Sequence, residues 1–319
     1  MRLRCLVLWL VSCPTLLGTA AVSAQEYPTK PIRIVTGGIG GAADFAARLI
    51  AQGLSGSFSH PAVVENRGGI IPMESVAKAP PDGHTLLLHG STIWLAPLLQ
   101  ARVPYDPQKD FSPISLTSTS PNILVVHPSL PVKNVRQLIA LAKAKPGMLN
   151  YASAGLGGSS HLAAALFNAM ADVNIVGIMY KGSSAALTDL ISGEVQLTFN
   201  ALPPTIPHIK TGRLKGLAVT SAQPSALLPD FPTIAASGVP GYEAVSIIGI
   251  LAPAKTPAAI VNLLNQNIVR TLKRTDVKEK FFNTGVQTVG SSPEQFALGI
   301  KYEMAKWAKV FKAAGIRPN

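Results

Sequence analysis

The clearest chemical signal in the sequence is the glycine-rich segment Gly37–Asp44, GGIGGAAD, which lies between a predicted strand and a predicted helix. Glycine lets a backbone approach a ligand closely, and the free N–H groups and dipole of a helix start favour an anion. Gly40, Gly41 and Ala42 are therefore predicted to bind an anionic group, for which a carboxylate is as suitable as a phosphate. A structural tight turn is the alternative. Asp44 is expected to stabilise the positive helix end or, alternatively, to meet a ligand ammonium group.

A second segment of the same kind, SAGLGGSS, precedes the helix that is predicted from His161 onward. If the two segments face one cleft, they could hold two carboxylates or the two ends of one ligand. The alternative is a pair of unrelated turns. For His161, a capping or packing role is favoured over ligand contact. The candidate ligand-binding residues here are Ser153, Gly157, Gly158, Ser159 and Ser160.

The first segment also supports an enzymatic interpretation. Gly38, Gly40 and Ala43 match the spacing of the dinucleotide fingerprint, and Glu65 lies where a ribose-binding acid is expected. An NAD-dependent oxidoreductase is therefore an alternative, although no hydride-transfer partner is evident. The sequence contains no G-x-S-x-G elbow and no H-E-x-x-H motif. No catalytic residue, cofactor or metal site is predicted, since even His84 and His89 would point to opposite faces of a strand.

The first residues predict export. Two arginines, an apolar run from Cys5 to Leu17 and the small residues before Gln25 have the layout of a secretory signal. We expect a signal peptide at 1–24, cleavage after Ala24 and a periplasmic mature protein. Lipidation at Cys13 is the weaker alternative. Both cysteines lie in this segment, so the expected mature chain has no thiol for a disulfide, a nucleophile or a metal site.

Charge makes an anionic ligand more plausible than nucleic acid. Beyond residue 24 the chain carries 26 basic and 16 acidic residues, a net charge of +10. Such a field attracts anions. The lysines and arginines are dispersed and are not interleaved with aromatic residues, so no nucleic-acid partner is predicted. No later segment is long and apolar enough to predict a membrane span.

Short apolar strands alternate with helical segments, which predicts parallel sheets covered on both faces. The predicted strands are Pro31–Val35, Ala62–Val64, Thr85–His89, Ile175–Ile178, Val195–Phe199 and Leu217–Thr220. The predicted helices include Gly41–Leu54, Pro72–Ala79 and Val135–Ala144. A final helix is expected to begin with a capping box of Ser291 and Glu294 and to stop near Gly315, with Lys306 outside the core. No single linker separates two halves, which favours lobes between which the chain crosses twice.

From Tyr27 to Ile316 the chain resembles the solute-binding receptors of tripartite tricarboxylate transporters, also called Bug receptors. Ordered short matches over nearly the whole mature chain carry the resemblance. They are Tyr27–Arg33, Val64–Arg67, Pro81–Leu86, Tyr105–Phe111, Leu124–Pro128, Leu149–Ser153, Tyr180–Gly182, Leu217–Ser221 and Leu251–Pro253.

This resemblance implies an α/β, two-lobed periplasmic-binding-protein fold of the type II-like class, with a ligand cleft between the lobes. Residues 25–121 with 249–319 are expected in one lobe and 122–248 in the other. It adds Ser91, Thr92, Tyr180 and Asn200 to the cleft lining. The implied ligand is a small carboxylate, and the implied partner is a membrane permease. A sensory adaptor that docks on a signalling protein is the alternative.

The sequence departs from the family pattern in its ligand loops. Thr36–Ile39 stands where the family usually has a proline-rich run, and Gly68–Pro72 is shorter and more apolar than usual. Asn200 replaces a frequent acid, which should weaken selection for a ligand ammonium group. Trp94 is expected to add aromatic surface to the cleft or, equally, to pack in the core.

Overall fold

The first part of the chain forms three parallel strands, each followed by a helix. In a computed structural model, residues 27–153, 155, 157–180 and 182–313 are described. The elements are β1 (Ile32–Thr36), α1 (Ala42–Ser55), β2 (Ala62–Asn66), α2 (Ile71–Ala77), β3 (Thr85–Gly90) and α3 (Thr92–Leu99). β1 lies between β2 and β3 and pairs in parallel with both. Ile32, Ile34 and Val35 of β1 are fully buried, as expected of a strand covered on both faces.

A long strand then leads into a second group of elements. It is β4 (Phe111–Val126), followed by α4 (Val135–Ala144), β5 (Asn150–Ser153), α5 (Ser159–Ala171), β6 (Val176–Met179), α6 (Ser183–Ser192), β7 (Leu197–Ala201), α7 (Leu202–Lys210) and β8 (Lys215–Val219). β5 pairs in parallel with β6 and β7. The Asn134 side chain caps α4 by accepting a hydrogen bond from the Gln137 N–H at 3.0 Å.

The chain returns to the first group through β9 (Val245–Pro253). It ends with α8 (Ala258–Lys273), α9 (Thr275–Asn283), β10 (Gln287–Thr288) and α10 (Pro293–Ala313). Along one path the strands are ordered β2-β1-β3-β9-β4-β7-β5-β6, with β8 and β10 also paired to β4. β4 changes partners along its length: Phe111–Pro121 pairs with β9, and Asn122–Val126 pairs with β7 and β8. The result is a two-lobed α/β fold.

The prediction of purely parallel sheets was wrong at the centre of the molecule. β9 is antiparallel to both β3 and β4, and β4 is antiparallel to β7. Neither β4 nor β9 was among the predicted strands. The β4 sequence, FSPISLTSTSPNILVV, hides its strand because two prolines and many hydroxyl residues interrupt the apolar pattern. Register irregularities near Pro113 and Leu116 accommodate this sequence.

Buried apolar side chains form a continuous cluster beneath the junction of the lobes. It includes Trp94 of α3, Leu124 of β4, Phe167 of α5 and Trp307 of α10. α10 therefore packs against elements of both groups.

The capping box of α10 lies one residue later than predicted. Ser292 Oγ accepts a hydrogen bond from the Gln295 N–H at 3.2 Å, and Gln295 Oε1 accepts one from the Ser292 N–H at 3.0 Å. Ser291 instead accepts a hydrogen bond from the Leu116 N–H, which ties the helix start to β4. Lys306 is not a free surface residue, because it pairs with the buried Glu303. The expected stop at Gly315 lies outside the described residues.

Candidate ligand-binding site

The carboxyl ends of the two strand groups point towards each other along β4. β3 and β4 run in the same direction, because both are antiparallel to β9, whereas β7 runs against β4. Gly90 of β3 lies opposite Ile248, which lies opposite Ser118 of β4. Ala201 of β7 lies opposite Asn122 of β4. The two carboxyl edges are therefore four residues apart along β4, about 13 Å.

The first glycine segment turns sharply into α1. Gly40 has a left-handed φ of 83°, and Gly41 is the N-cap in an extended conformation, with φ −79° and ψ 166°. No side chain caps this helix. The Gly40 N–H is not available to a ligand, because Asp44 Oδ2 accepts its hydrogen bond at 3.0 Å. The open donors of this loop therefore belong to the first turn of α1, which includes Ala42.

Asp44 holds the loop together from behind. Its Oδ1 accepts a hydrogen bond from Asn66 Nδ2 at 2.9 Å and lies 3.0 Å from Arg48 Nη2. The same Asn66 amide donates to the Gly37 carbonyl at 2.8 Å. Burial raises the pKa of the Asp44 carboxyl, but the Gly40, Asn66 and Arg48 hydrogen bonds outweigh it and leave the pKa below its ordinary value. With only 4% of its surface exposed and its oxygens bonded to Gly40, Asn66 and Arg48, Asp44 holds the loop in position.

The start of α5 repeats the geometry of α1. Its N-cap Gly158 is extended, with φ −70° and ψ 165°, and no side chain caps the helix. The Gly157 N–H donates to His161 Nδ1 at 3.2 Å, so this N–H is also used within the loop. His161 is 4% exposed, and its burial lowers its pKa, which favours the neutral ring that this contact requires. Its side chain supports the loop, in agreement with the favoured prediction.

Two serines of the second segment also form hydrogen bonds within the loop. Ser153 Oγ and Ser160 Oγ lie 3.0 Å apart, and both side chains are buried. Ser153 Oγ also donates to the Gly155 carbonyl at 3.1 Å. Ser159, which directly precedes Ser160 in the sequence, is exposed to solvent.

The start of α3 meets the start of α5. Ser91 and Ser159 line one small cavity of about 20 Å³, which Glu303 and Trp307 also border. Thr92 lines a larger cavity, of about 430 Å³, together with Gly157 and Gly158. The first segment adjoins the same edge of the sheet, because a Cβ on Gly37 would lie 3.2 Å from Nε2 of His89, two residues before Ser91.

Tyr180 and Asn200 lie at the carboxyl edge of the second group. The Tyr180 N–H donates to the Ser153 carbonyl at 2.8 Å, which places the Tyr180 backbone beside the second glycine segment, while its half-buried phenol is hydrogen-bonded to Asp189 of α6. Burial, together with the Asp189 carboxylate, raises the pKa of Tyr180 to about 12, so the phenol stays a hydrogen-bond donor. Asn200 is buried and donates to Thr205 Oγ1 at 3.1 Å. Asn200 therefore links the end of β7 to α7.

The structure assigns other roles to two residues that the sequence left open. Trp94 is fully buried and packs edge-on against Phe296, so it belongs to the core and not to the cleft surface. Glu65 forms ion pairs with Arg33 and Arg67. The carboxylate that would have to bind a ribose is therefore already paired with two arginines. The dinucleotide interpretation loses its main side-chain support.

Polar groups at the crossing between the lobes were not predicted from the sequence. Ser118 Oγ and Asn122 Nδ2 on β4 are buried without a hydrogen-bond partner. Unsatisfied buried groups are uncommon in folded proteins and mark places where polar partners can bind. They went unseen because β4 was not predicted.

Neither a metal-binding cluster nor a membrane-spanning helix is present among the described residues. No group of three His, Cys, Asp or Glu side chains within 27–153, 155, 157–180 and 182–313 could hold a metal ion. In the same part of the chain, no helix combines the length and the apolar character that crossing a bilayer demands.

Comparison with known proteins gives a consistent result. The sequence model of the tripartite tricarboxylate transporter family receptor matches residues 46–316. BugT of Bordetella pertussis is 36% identical over 304 residues, which cover 93% of this chain and 93% of BugT. A structure from R. palustris with adipate is 38% identical and has a TM-score of 0.77, covering 92% of this chain and 100% of that one. MatC from Rhodopseudomonas palustris, with bound malate, is 28% identical and has a TM-score of 0.71, covering 89% of this chain and 99% of MatC.

Proposed function

Because the chain belongs to the tripartite tricarboxylate transporter receptor family, we propose that it is a periplasmic receptor that captures a small dicarboxylate between its lobes. Members of this family are substrate-binding receptors and not enzymes. The chain is therefore expected to bind its ligand without changing it. The proposal extends to export by a signal peptide at 1–24 and to delivery of the ligand to a membrane permease.

The observation that carries this proposal is the pair of matched helix starts. α1 and α5 both begin at an extended glycine, Gly41 and Gly158, and neither has a side-chain cap. An uncapped first turn presents N–H groups that a carboxylate can satisfy, and the helix dipole adds to the attraction. The two starts belong to carboxyl edges that point towards each other, so one ligand with two acids suits them. The structures with adipate and malate bind ligands of this kind.

The energetics allow such a site without a basic side chain. A micromolar dissociation constant corresponds to about 8 kcal/mol. A hydrogen bond to a charged group contributes roughly 1.5–3 kcal/mol. Four or five donors from two helix starts and nearby hydroxyls are therefore enough before the cost of ordering is subtracted.

We assign direct ligand contact to accessible members of the predicted set, and a supporting role to the members that are buried or whose N–H is used within the loop. The proposed contacts are Gly41, Ala42, Ser91, Thr92, Gly158, Ser159 and Tyr180. Gly40 and Gly157 are proposed to shape the two loops. Asp44, Ser153, Ser160 and Asn200 are proposed to hold the site in place through their hydrogen bonds. The proposed lobes are 25–121 with 249–319 and 122–248, and the change of partners on β4 between Pro121 and Asn122 supports the first of these boundaries.

Isothermal titration of the purified protein with adipate, succinate, malate and hexanoate tests this function. Hexanoate has the length of adipate but only one acid. At least one diacid is expected to bind with micromolar affinity. Hexanoate is expected to bind at least about 100-fold more weakly than adipate, because it loses two charge-assisted hydrogen bonds. Equal binding of adipate and hexanoate, or binding of NAD alone, would reject the proposal.

A further inference from the structure

A second cavity, of about 640 Å³, lies between α5 and β6. One wall is a helical stripe along α5, in which residues recur at intervals of three and four. The other wall is the sheet, from which Tyr151 of β5 and Gly177 of β6 line the cavity. The volume is within the range of about 300–1,000 Å³ that binding pockets occupy. The stripe of α5 consists of His161, Ala165, Asn168, Ala169 and Asp172.

β6 offers a free edge beside this cavity. It is the last strand on the path of the sheet and, within the described part of the chain, pairs only with β5. The Val176 and Tyr180 N–H groups donate at 2.8 Å to the carbonyls of Leu149 and Ser153. Backbone groups of alternate residues point to opposite sides of a strand, so those of residues 177 and 179 point away from β5. An additional strand could pair with them.

β6 lacks the features that usually protect an edge strand. Its sequence, VGIM, contains no charge and no proline. Val176, Ile178 and Met179 are 39%, 38% and 43% exposed, respectively. At the other end of the sheet, β2 instead carries Glu65, which is paired with two arginines. An uncharged, exposed edge of this kind is where an extended peptide adds as a further strand.

The cavity also presents two polar groups without a partner. Tyr151 is only 5% exposed, and its hydroxyl has no hydrogen-bond partner among the residues that the structure describes. A Cβ at Gly177 would lie 2.6 Å from this hydroxyl oxygen, so the phenol reaches the free strand because residue 177 has no side chain. Asn168 Oδ1 is buried without a donor. Buried polar groups are normally paired, so the two indicate a ligand group that both donates and accepts, such as a hydroxyl.

Asp172 makes one end of the groove acidic. The other described residues of the lining carry no acidic or basic side chain except His161, whose pKa is lowered by burial. The Asp172 carboxylate is fully exposed and lies 3.9 Å from Lys143 Nζ, and such a surface pair contributes little. Asp172 is therefore available to a cation on an incoming chain. It lies four residues before Val176, at the end of the groove where β6 begins.

We propose that the groove between α5 and β6 binds an extended peptide segment of a partner protein, which adds as a strand to β6. Antiparallel pairing is favoured because its hydrogen bonds are the stronger per residue. The main-chain hydrogen bonds would be made with residues 177 and 179. This site is independent of the proposed dicarboxylate function, because none of its contacts is a diacid donor.

The lining specifies the side chains of this segment. The residue opposite Gly177 directs its side chain over the cavity, where a threonine hydroxyl can donate to Asn168 Oδ1 and accept from Tyr151. Neighbouring positions face the side of the strand that carries Ile178, where valine would cover exposed apolar surface. A lysine at the carboxyl end of an antiparallel segment would meet Asp172.

The test titrates isotope-labelled protein with the acetylated and amidated peptide TVTVK, followed by NMR. TVTVK is expected to bind with a dissociation constant below about 1 mM and to shift the amide signals of Gly177 and Met179. The peptide TVTVE, which reverses the terminal charge, is expected to bind at least about 3-fold more weakly. Asp172→Asn is expected to remove this preference.

Met179→Pro removes an outward N–H without touching the hydrogen bonds to β5, so it is expected to weaken TVTVK at least about 10-fold. Met179→Ala is the matched control, since it loses the same side chain but keeps the N–H, and it should stay within about 2-fold of the unaltered protein. Tyr151→Phe is expected to weaken TVTVK at least about 3-fold. Its urea midpoint should not change, because the hydroxyl has no partner within the described chain.

Three results would overturn the proposal. The first is that the unaltered protein binds neither peptide. The second is equal binding of TVTVK to Met179→Pro and Met179→Ala, which would exclude strand addition. The third is a dimer in sedimentation that Met179→Pro dissociates, because a second copy of the chain would then occupy the edge. Failure of the diacid titration would reject the dicarboxylate function and leave this site unaffected.

Discussion

Gly41 and Gly158 begin helices in different parts of the fold with almost the same backbone conformation, φ −79° and ψ 166° against φ −70° and ψ 165°. Each follows a glycine in the left-handed region, Gly40 and Gly157 respectively. In both loops the N–H of that preceding glycine donates to a side chain four residues later, Asp44 in one case and His161 in the other. The two loops therefore fix themselves in the same way and leave the first turn of each helix open.

Gly157→Ala is expected to weaken diacid binding at least 10-fold and to lower the free energy of unfolding. A left-handed conformation costs an ordinary residue roughly 1–2 kcal/mol, and here the new methyl group would also displace Leu99. Titration calorimetry and urea unfolding measure the two effects. The matched control is Gly212→Ala, which has a φ of 72° but open space around the Cβ. It should lose similar stability and keep its affinity; equal affinity losses in both variants would contradict the role of the Leu99 contact.

Asp44→Asn is expected to reduce stability by about 2–3 kcal/mol and to weaken ligand binding. The change removes the negative charge of the carboxylate, whose two oxygens accept hydrogen bonds from Gly40 and Asn66. Because Asp44 does not itself reach the ligand, the loss of affinity should be the same for every diacid. Chemical denaturation and titration of two diacids check this. Asp172→Asn, on a fully exposed side chain, serves as the control.

Acid sensitivity should follow from the same carboxylate. The pKa of Asp44 is lowered in the folded protein, so its contribution to stability is complete above the unfolded pKa of about 3.9 and is lost as pH falls through the folded value. The unaltered protein is therefore expected to lose stability below about pH 4 more steeply than Asp44→Asn. Urea unfolding between pH 6 and pH 3 measures both slopes. Parallel curves for the two proteins would exclude Asp44 as a source of this dependence.

Glu303→Gln is expected to destabilise the junction of the lobes. Glu303 is buried, accepts a hydrogen bond from Trp307 Nε1 at 2.8 Å and pairs with the Lys306 ammonium group. The amide can still accept from the indole but leaves a largely buried cation unpaired, at an expected cost of about 2–4 kcal/mol. Thermal unfolding tests this, with Glu279→Gln on an exposed site as the control. A cost below 0.5 kcal/mol would indicate that the Lys306 pair is solvated like a surface ion pair.

The sequence predicted the parts of the fold in which local pattern and tertiary role agree. β1 and α1 are apolar at the expected period, and α4 was predicted with its observed ends, Val135 and Ala144. β4 was not found because Pro113, Pro121 and a run of hydroxyl residues weaken the local pattern of a strand that long-range pairing nevertheless stabilises. The last capping box was displaced by one residue because Ser291 is used by β4 instead.

The same division applies to the candidate site. Glycine spacing at Gly40 and Gly157 was visible in the sequence and predicted both helix starts. The sequence did not show which N–H groups remain open. Asp44 and His161 accept hydrogen bonds from the Gly40 and Gly157 N–H groups, and residue spacing alone does not predict these contacts. The contact between Leu99 and Gly157 joins residues far apart in the chain and required the structure.

A crystal structure of the protein with its best-binding diacid tests the central claim most directly. One carboxylate is expected within hydrogen-bonding distance of N–H groups in the first turn of α1, and the other within the same distance of the first turn of α5. A diacid bound at only one of these helix starts, or outside the cleft between them, would contradict the account.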